Sequence, residues 1–293
     1  VPDRPALAIK IGNDPGALPQ SGLDHADIVF EEPIEGAITR LLSVFECTGD
    51  PKVGPIRSTR WIDTQILPMF DHPAFAFAGG IAPDLRAVHQ TPVDDLDFTR
   101  YYSDYFRTDT RAAPENLYAS TTTMWGLDHS RSAPRPVFSY GSTVPTGTPE
   151  RSVTLTYSGI FALSWHWSGQ KSRWIRYVNY GESGFVPDTD ADGSPVDAAN
   201  VVILRVATHP GPYVEDQEGA YGVRSQTVGE GDALVLRNGV AIRARWQRAA
   251  VSDPISLTSS GTGAPIKLAP GNTWVELLPL HAGLSEQGAT AAG

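Results

Sequence analysis

Apolar and polar positions alternate through residues 27–46, DIVFEEPIEGAITRLLSVFE, in two runs joined by a turn-like Pro-Ile-Glu-Gly. On a strand, Asp27, Val29 and Glu31 share one face, and Ile28, Phe30 and Glu32 share the other. Ile38, Arg40, Leu42, Val44 and Glu46 then line one face of the returning strand. The pattern predicts a β-hairpin carrying an unusual number of charges. PALAIKIG (5–12) and PAFAFAGG (73–80) read as short strands, PDLRAVHQ and STTTMWGLDHS as short helices. In STRWIDTQILPMF, Trp61, Ile62, Ile66, Leu67 and Phe70 recur at helical spacing behind Ser58, a candidate N-cap, with Pro68 weakening the end.

After residue 150 the pattern changes. SVTLTY, FALSWHW, RWIRYVNY, VVILRVA, ALVLRNGVAIRARW and GNTWVELLP are strand-like, and Asn238-Gly239 is a type I′ hairpin signal. Residues 131–150 are rich in Ser, Pro, Gly and Thr and read as a linker. The expected fold class is therefore α+β: an α+β domain over 1–150, a mostly antiparallel β domain over 151–280, and a flexible tail over 281–293.

Composition narrows the function classes. The 293 residues carry a formal charge of −10 with no Lys/Arg run, which argues against a general nucleic-acid binder. No apolar run approaches the roughly 18 residues of a membrane-spanning helix. Cys47 is the single cysteine, expected to be a small buried hydrophobe rather than a nucleophile. The chain opens on VPDRPALAIK without an initiator Met or a signal peptide, as a chain relieved of a leader or trimmed would.

The charged hairpin is the candidate site. Glu31, Glu32 and Glu35 are the candidate catalytic carboxylates, since glycoside hydrolysis uses two at a set separation. Asp27, Arg40, Arg57, Ser58, Arg60, Arg111 and Asn116 are the candidate ligand-binding set. Arginines at a helix start would hold a carboxylate or phosphate. The competing reading is a buried salt-bridge network that docks the hairpin on the helix. Tyr101, Tyr102, Tyr105 and Phe106 among Arg100, Arg107 and Arg111 read first as an Arg-covered core edge, second as a binding wall. DTDADGSP opens like a calcium loop with Asp188, Asp190 and Asp192, but Ala199 stands where the bidentate Glu belongs. The seven histidines form no HxxxH or HxH pair, so no local metal site is indicated. A P-loop, a GxGxxG and a GxSxG elbow are all missing.

NDPGALPQSGLDHADIVFEEPIEGAITR, VGPIRSTRWID and APENLYAS, with NVVILRV, GEGDALVLRNGVAIRARW and LAPGNTWVELLP, resemble the YerB-like lipoproteins, the DUF3048 family. The resemblance spans about residues 5–280. It implies an extracytoplasmic bacterial protein, often anchored by a lipid on a cysteine upstream of the folded part, and a layered sheet-and-helix arrangement. That cysteine is not in this sequence. No activity and no catalytic residue come with the resemblance. Three functions follow as expectations: a protein binding an anionic cell-wall glycan or peptide fragment; a glycan hydrolase or transferase using paired Glu carboxylates; or a structural protein docking a protein partner. A lipid anchor is the expected tie to the membrane, because an acidic chain is not drawn to an anionic surface.

Overall fold

The computed structural model describes residues 3–129, 133–143, 146–181 and 184–288. In the first half, β1 (Leu7–Asn13), β2 (Ile28–Pro33), β3 (Thr39–Phe45), β4 (Ala74–Phe77), β5 (Asp94–Asp97), β6 (Tyr105–Arg107) and β7 (Leu117–Ala119) alternate with three short helices. These are α1 (Asp63–Ile66), α2 (Ala82–His89) and α3 (Thr121–Leu127). Among its described residues the second half has strands and no helix. It holds β8 (Thr148–Thr156), β9 (Ala162–Ser168), β10 (Arg173–Asn179), β11 (Val186–Pro187), β12 (Asp197–Ala198), β13 (Asn200–Val206) and β14 (Thr208–Val214). It continues with β15 (Tyr221–Ser225), β16 (Gly229–Arg237), β17 (Val240–Arg248), β18 (Ser256–Ser259), β19 (Thr273–Pro279) and β20 (Gly283–Gly288).

Most of these strands join one sheet in the order β11-β10-β9-β8-β17-β16-β13-β19-β2-β3-β1-β4-β5, with β12, β18 and β20 attached to β10, β17 and β8. Pairing is mostly antiparallel; β19 runs parallel to both β13 and β2, and β4 parallel to both β1 and β5. The sheet crosses from one half of the sequence to the other at the β19–β2 ladder, where Glu276 lies opposite Glu31. A strand with neighbours on both sides and both faces covered reads as a continuous apolar run. TWVELLP and IVFEEP are such strands, and every residue of both is buried.

Apolar side chains leave the sheet in two sets. Ile9, Val29, Leu41 and Trp274 pack with Trp165 and Trp174 of β9 and β10. Ala8, Phe30, Leu42 and Val275 pack with Ile62 of the α1 region and Phe70 beyond it. Alternation along β2 thus sends Glu31 to one set and Glu32 to the other.

The expected hairpin forms, turning through Glu35–Ala37 with Gly36 at φ 73°. The Asn238-Gly239 turn also forms, with φ 51° and 75° as type I′ requires. Other expectations need correction. The helix does not start at Ser58. Arg57 N–H donates to Lys10 C=O, Gly12 N–H to Pro55 C=O, and Thr59 N–H to Gly79 C=O, so residues 55–59 lie extended beside β1 and beyond β4. Helix begins only at Asp63, whose Oδ2 accepts from the Arg60 N–H and the Thr59 hydroxyl. The linker expected over 131–150 is partly structure: Val137 and Phe138 are buried in the core and β8 starts at 148, while 130–132 and 144–145 lie outside the described residues. The tail expected over 281–293 contains β20, paired along β8; residues 289–293 lie outside the described residues. Cys47, expected to be buried, is exposed just past β3. Partial burial and the nearby Asp27 push its thiol pKa up, against a nucleophilic role.

Candidate functional site: arginines at the hairpin tip

The charges of the hairpin separate into three groups. The first lies on the Trp165 side. Arg176 Nη2 donates to Glu31 Oε2 at 2.7 Å, its Nη1 bonds Asp188, and its guanidinium lies 4.9 Å from the Trp274 ring centroid. Asn13 Nδ2 and the Thr39 hydroxyl donate to Glu31 Oε1 at 3.1 and 2.7 Å. Glu276 accepts from Trp165 Nε1 and the Tyr157 hydroxyl, both at 2.9 Å. Burial and then Glu31 push its pKa well above the carboxylate range, so it is held as the neutral acid. Burial works against charge on Arg176, but Glu31 and Asp188 outweigh it and raise its pKa.

The second group lies on the α1 side. Lys10 bonds both Glu32 and Asp63, the latter at 2.7 Å, and all three side chains are sealed from solvent. Two carboxylates share one ammonium. Burial first, with Asp63 opposing the pull of Lys10, pushes Glu32 up to about 8. Glu31 and Glu32 therefore face opposite sides of the sheet and are fully enclosed. The paired open carboxylates expected of a glycosidase do not form from them.

The third group, at the hairpin tip, reaches the surface. Arg60 grips Glu35 through both Nε, at 2.8 Å, and Nη2. Burial opposes ionisation of Glu35, but Arg60 and Arg40 outweigh it and lower its pKa. Arg57, half-buried, pairs with Glu115. A Cβ at Gly12 would sit 3.0 Å from Arg57 Cγ, so glycine there lets the arginine stem cross β1. Arg40 lies opposite Glu32 in the β2–β3 ladder, yet Glu32 is taken by Lys10. The Arg40 side chain instead donates to Ser58 C=O at 3.1 Å, its one side-chain hydrogen bond among the described residues, and its nearest carboxylate oxygen, on Glu35, is 4.0 Å away. With its side chain only 8% exposed, burial first and then Arg60 push its pKa down to about 9. An arginine keeps its proton at neutral pH, so this measures how poorly the charge is compensated.

Beside Glu35 opens a cleft of 440 Å³, lined by the tip residues 33–38, Tyr157, Tyr221, Val223 and His281. Glu35 is the wall common to the cleft and the arginines.

Other expected site residues lie elsewhere. Asp27 accepts from the N–H groups of Glu46 and Cys47 at the base of the hairpin, the end opposite the tip. Arg111 donates to the carbonyls of Ala17 and Pro19 and fixes that loop; Asn116 accepts from Arg107. Ser58 contributes its carbonyl, not a helix cap. The calcium loop does not form: Asp188 is spent on Arg176, Asp190 accepts from the Leu23 N–H, and Asp192 from the Ser194 N–H. Among the described residues no group of three or more His, Cys, Asp or Glu is placed to hold a metal ion. Only part of the Tyr/Arg segment packs as a core edge: Tyr105 is buried and Arg107 lies 5.3 Å from the Phe98 ring centroid, while Tyr102 and Phe106 are exposed.

Pattern reading passed over Lys10, Asp63, Asp84, Arg176, Glu215, Arg224 and Glu276. Lys10 and Glu276, single charges inside strand-like apolar runs, carried the one local signal: such a position demands a partner.

Residues 1–133 match the N-terminal domain, and residues 153–275 the C-terminal domain, of the protein of unknown function DUF3048. The chain is 26% identical over 295 residues to the Bacillus subtilis (strain 168) protein named "Putative lipoprotein YerB", covering 95% of this chain and 82% of that one. A crystal structure of YerB protein from Bacillus subtilis superposes with a TM-score of 0.80 at 24% identity, over 96% of this chain and 94% of that chain, and shows the same fold. Among the described residues no helix is long and apolar enough to cross a membrane. With both domains present in order along one chain, the protein belongs to the DUF3048 family.

Proposed function

We propose that this protein is an extracytoplasmic, lipid-anchored binding protein that holds an anionic glycan or peptide fragment of the cell envelope at the hairpin tip. The fragment's anionic group sits against Arg40 and Arg60, and its body occupies the 440 Å³ cleft beside Glu35. The observation that carries this reading is Arg40: a buried guanidinium whose nearest carboxylate stands 4.0 Å off. A cation held this way weakens the empty protein and is compensated when an anion arrives. The lipoprotein name of the Bacillus subtilis relative supports the location. Catalysis by paired glutamates has less support, because Glu31 and Glu32 are enclosed and Glu35 is held by Arg60.

The test is thermal melting of wild type and Arg40→Met, with and without soluble peptidoglycan fragments. Wild type should gain stability with fragment, about 2.7 kcal/mol at a hundredfold excess over Kd. Arg40→Met should melt within about 1 kcal/mol of wild type, since it loses one carbonyl hydrogen bond and one costly charge. It should not respond to fragment. Equal responses in the two proteins, or none in wild type, would overturn the proposal.

A further inference from the structure

β14 and β15 pair with each other and leave the main sheet. Their hairpin lies against the site: Glu215 Oε2 is 2.7 Å from Arg60 Nε, and the Arg224 guanidinium is 4.1 Å from the Trp61 ring centroid. Three features mark the Glu215 contact as a place taken rather than a bond completed. The Arg60 Nε–H already donates to Glu35, so Glu215 Oε2 meets the guanidinium as a charge and accepts no hydrogen bond. Glu215 faces Asp84 of α2, a buried carboxylate whose oxygens find no N–H donor among the described residues and whose side-chain partner is the Glu215 carboxyl itself, like against like. The Glu215 side chain also lies flat across the backbone of β15, where a Cβ on Gly222 would stand 1.8 Å from Glu215 Oε1. The hairpin is thus shaped, by a glycine in mid-strand, to deliver one carboxylate onto Arg60.

We propose that this hairpin is a strap over the binding site, that Glu215 holds the place of a ligand's carboxylate on Arg60, and that ligands bind by displacing it. The ligand class rests on the binding reading above; the strap does not. The seat favours a single carboxylate over a phosphate. Glu35, Asp84 and Glu115 already surround the arginines, so a group that replaces Glu215 charge for charge is accepted, and a second negative charge is repelled. Burial and then Asp84 push the Glu215 carboxyl up to about 7, consistent with a poorly compensated group. The charged groups facing it are Asp84 on α2, Arg60 before α1, Glu35 at the hairpin tip and Arg224 on β15. Exposed Tyr213, Val214 and Tyr221 travel with the strap. Tyr221 and Val223 wall the cleft, so lifting the strap also widens it.

The test uses the full chain, wild type, Glu215→Ala and Gly222→Ala, the second expelling the carboxylate without removing it. Hydrogen exchange without ligand reads the strap. Amides of 221–225 should lose tenfold or more of their protection in both variants, with β16 and β17 unchanged. Acetyl-alanine, a minimal carboxylate, and inorganic phosphate are then titrated. Acetyl-alanine should bind both variants at least tenfold tighter than wild type, and phosphate should gain less. Unchanged protection, or no gain in acetyl-alanine affinity, overturns the strap; an equal gain for phosphate overturns the ligand class. A strap that passes while peptidoglycan fragments fail to stabilise wild type would remove the envelope ligand and leave the strap standing.

Discussion

Arg176→Ala is expected to destabilise the protein by about 3–5 kcal/mol, the cost of breaking a buried ion network by removing one partner. Arg176 is fully enclosed and bonds Glu31 and Asp188, which are themselves buried. Without it, two carboxylates remain in a site whose third, Glu276, already lies opposite Glu31 in the ladder. Arg176→Lys should recover only part of the loss, because one ammonium on a flexible stem does not span two carboxylates as a planar fork does. Urea denaturation, read as midpoint and slope, checks this. A loss below about 1 kcal/mol would mean that Glu31 and Asp188 simply take up protons and stay in place, and the network would then be a minor contributor.

The second large effect is a dependence on pH. Glu32 holds its proton up to about pH 8 in the folded protein, against an ordinary value of 4.5. As pH rises through 4.5 the unfolded chain releases that proton while the folded chain keeps it, so the unfolded state gains. The contribution is therefore greatest below the unfolded value, declines from there to about 8, and is level beyond. The steepest decline is about 1.4 kcal/mol per pH unit. Glu32→Gln keeps the shape and an acceptor for Lys10 and should remove that slope. Denaturation series from pH 5 to 9 on both proteins would show it as a widening gap in favour of the variant. Parallel curves would mean that Glu32 is ionised beside Lys10 throughout.

Both effects arise because charged residues occupy central strands. β2 has β19 on one side and β3 on the other, and both of its faces are covered. A charge there either finds a partner or gives up its ionisation. Glu31 does the first, through Arg176; Glu32 and Glu276 do the second. At the tip, where the sheet ends, Arg40 is only partly compensated: its nearest carboxylate, Glu35, stands 4.0 Å off and is held by Arg60. The structural network and the binding reading are therefore neighbours on one hairpin: enclosed charges belong to stability, and the one short of a counter-charge belongs to the site.

What the sequence determined is local. Alternation fixed the β2–β3 hairpin, the Asn238-Gly239 turn needed only its two residues, and the apolar runs located β1, β4, β13 and β19. The density of Asp, Glu and Arg in 27–46 pointed to the right segment, and the missing partner for a strand charge was a legitimate inference. Tertiary structure decided the pairings. Glu31 meets Arg176, 145 residues away, because β10 crosses that face; Lys10 takes Glu32 because β1 lies next to β3 and turns the same face. Ser58 failed as a helix start because the amides around it were claimed by β1 and the β4 end, a competition invisible to periodicity. The β14–β15 strap was overlooked because its glycines and prolines erase the alternation that marks a strand, and those glycines make room for Glu215 and Arg224. Side-chain period depends on the chain's own geometry and is written in order along it. Charge compensation depends on which distant strands become neighbours, and only the folded sheet supplies that.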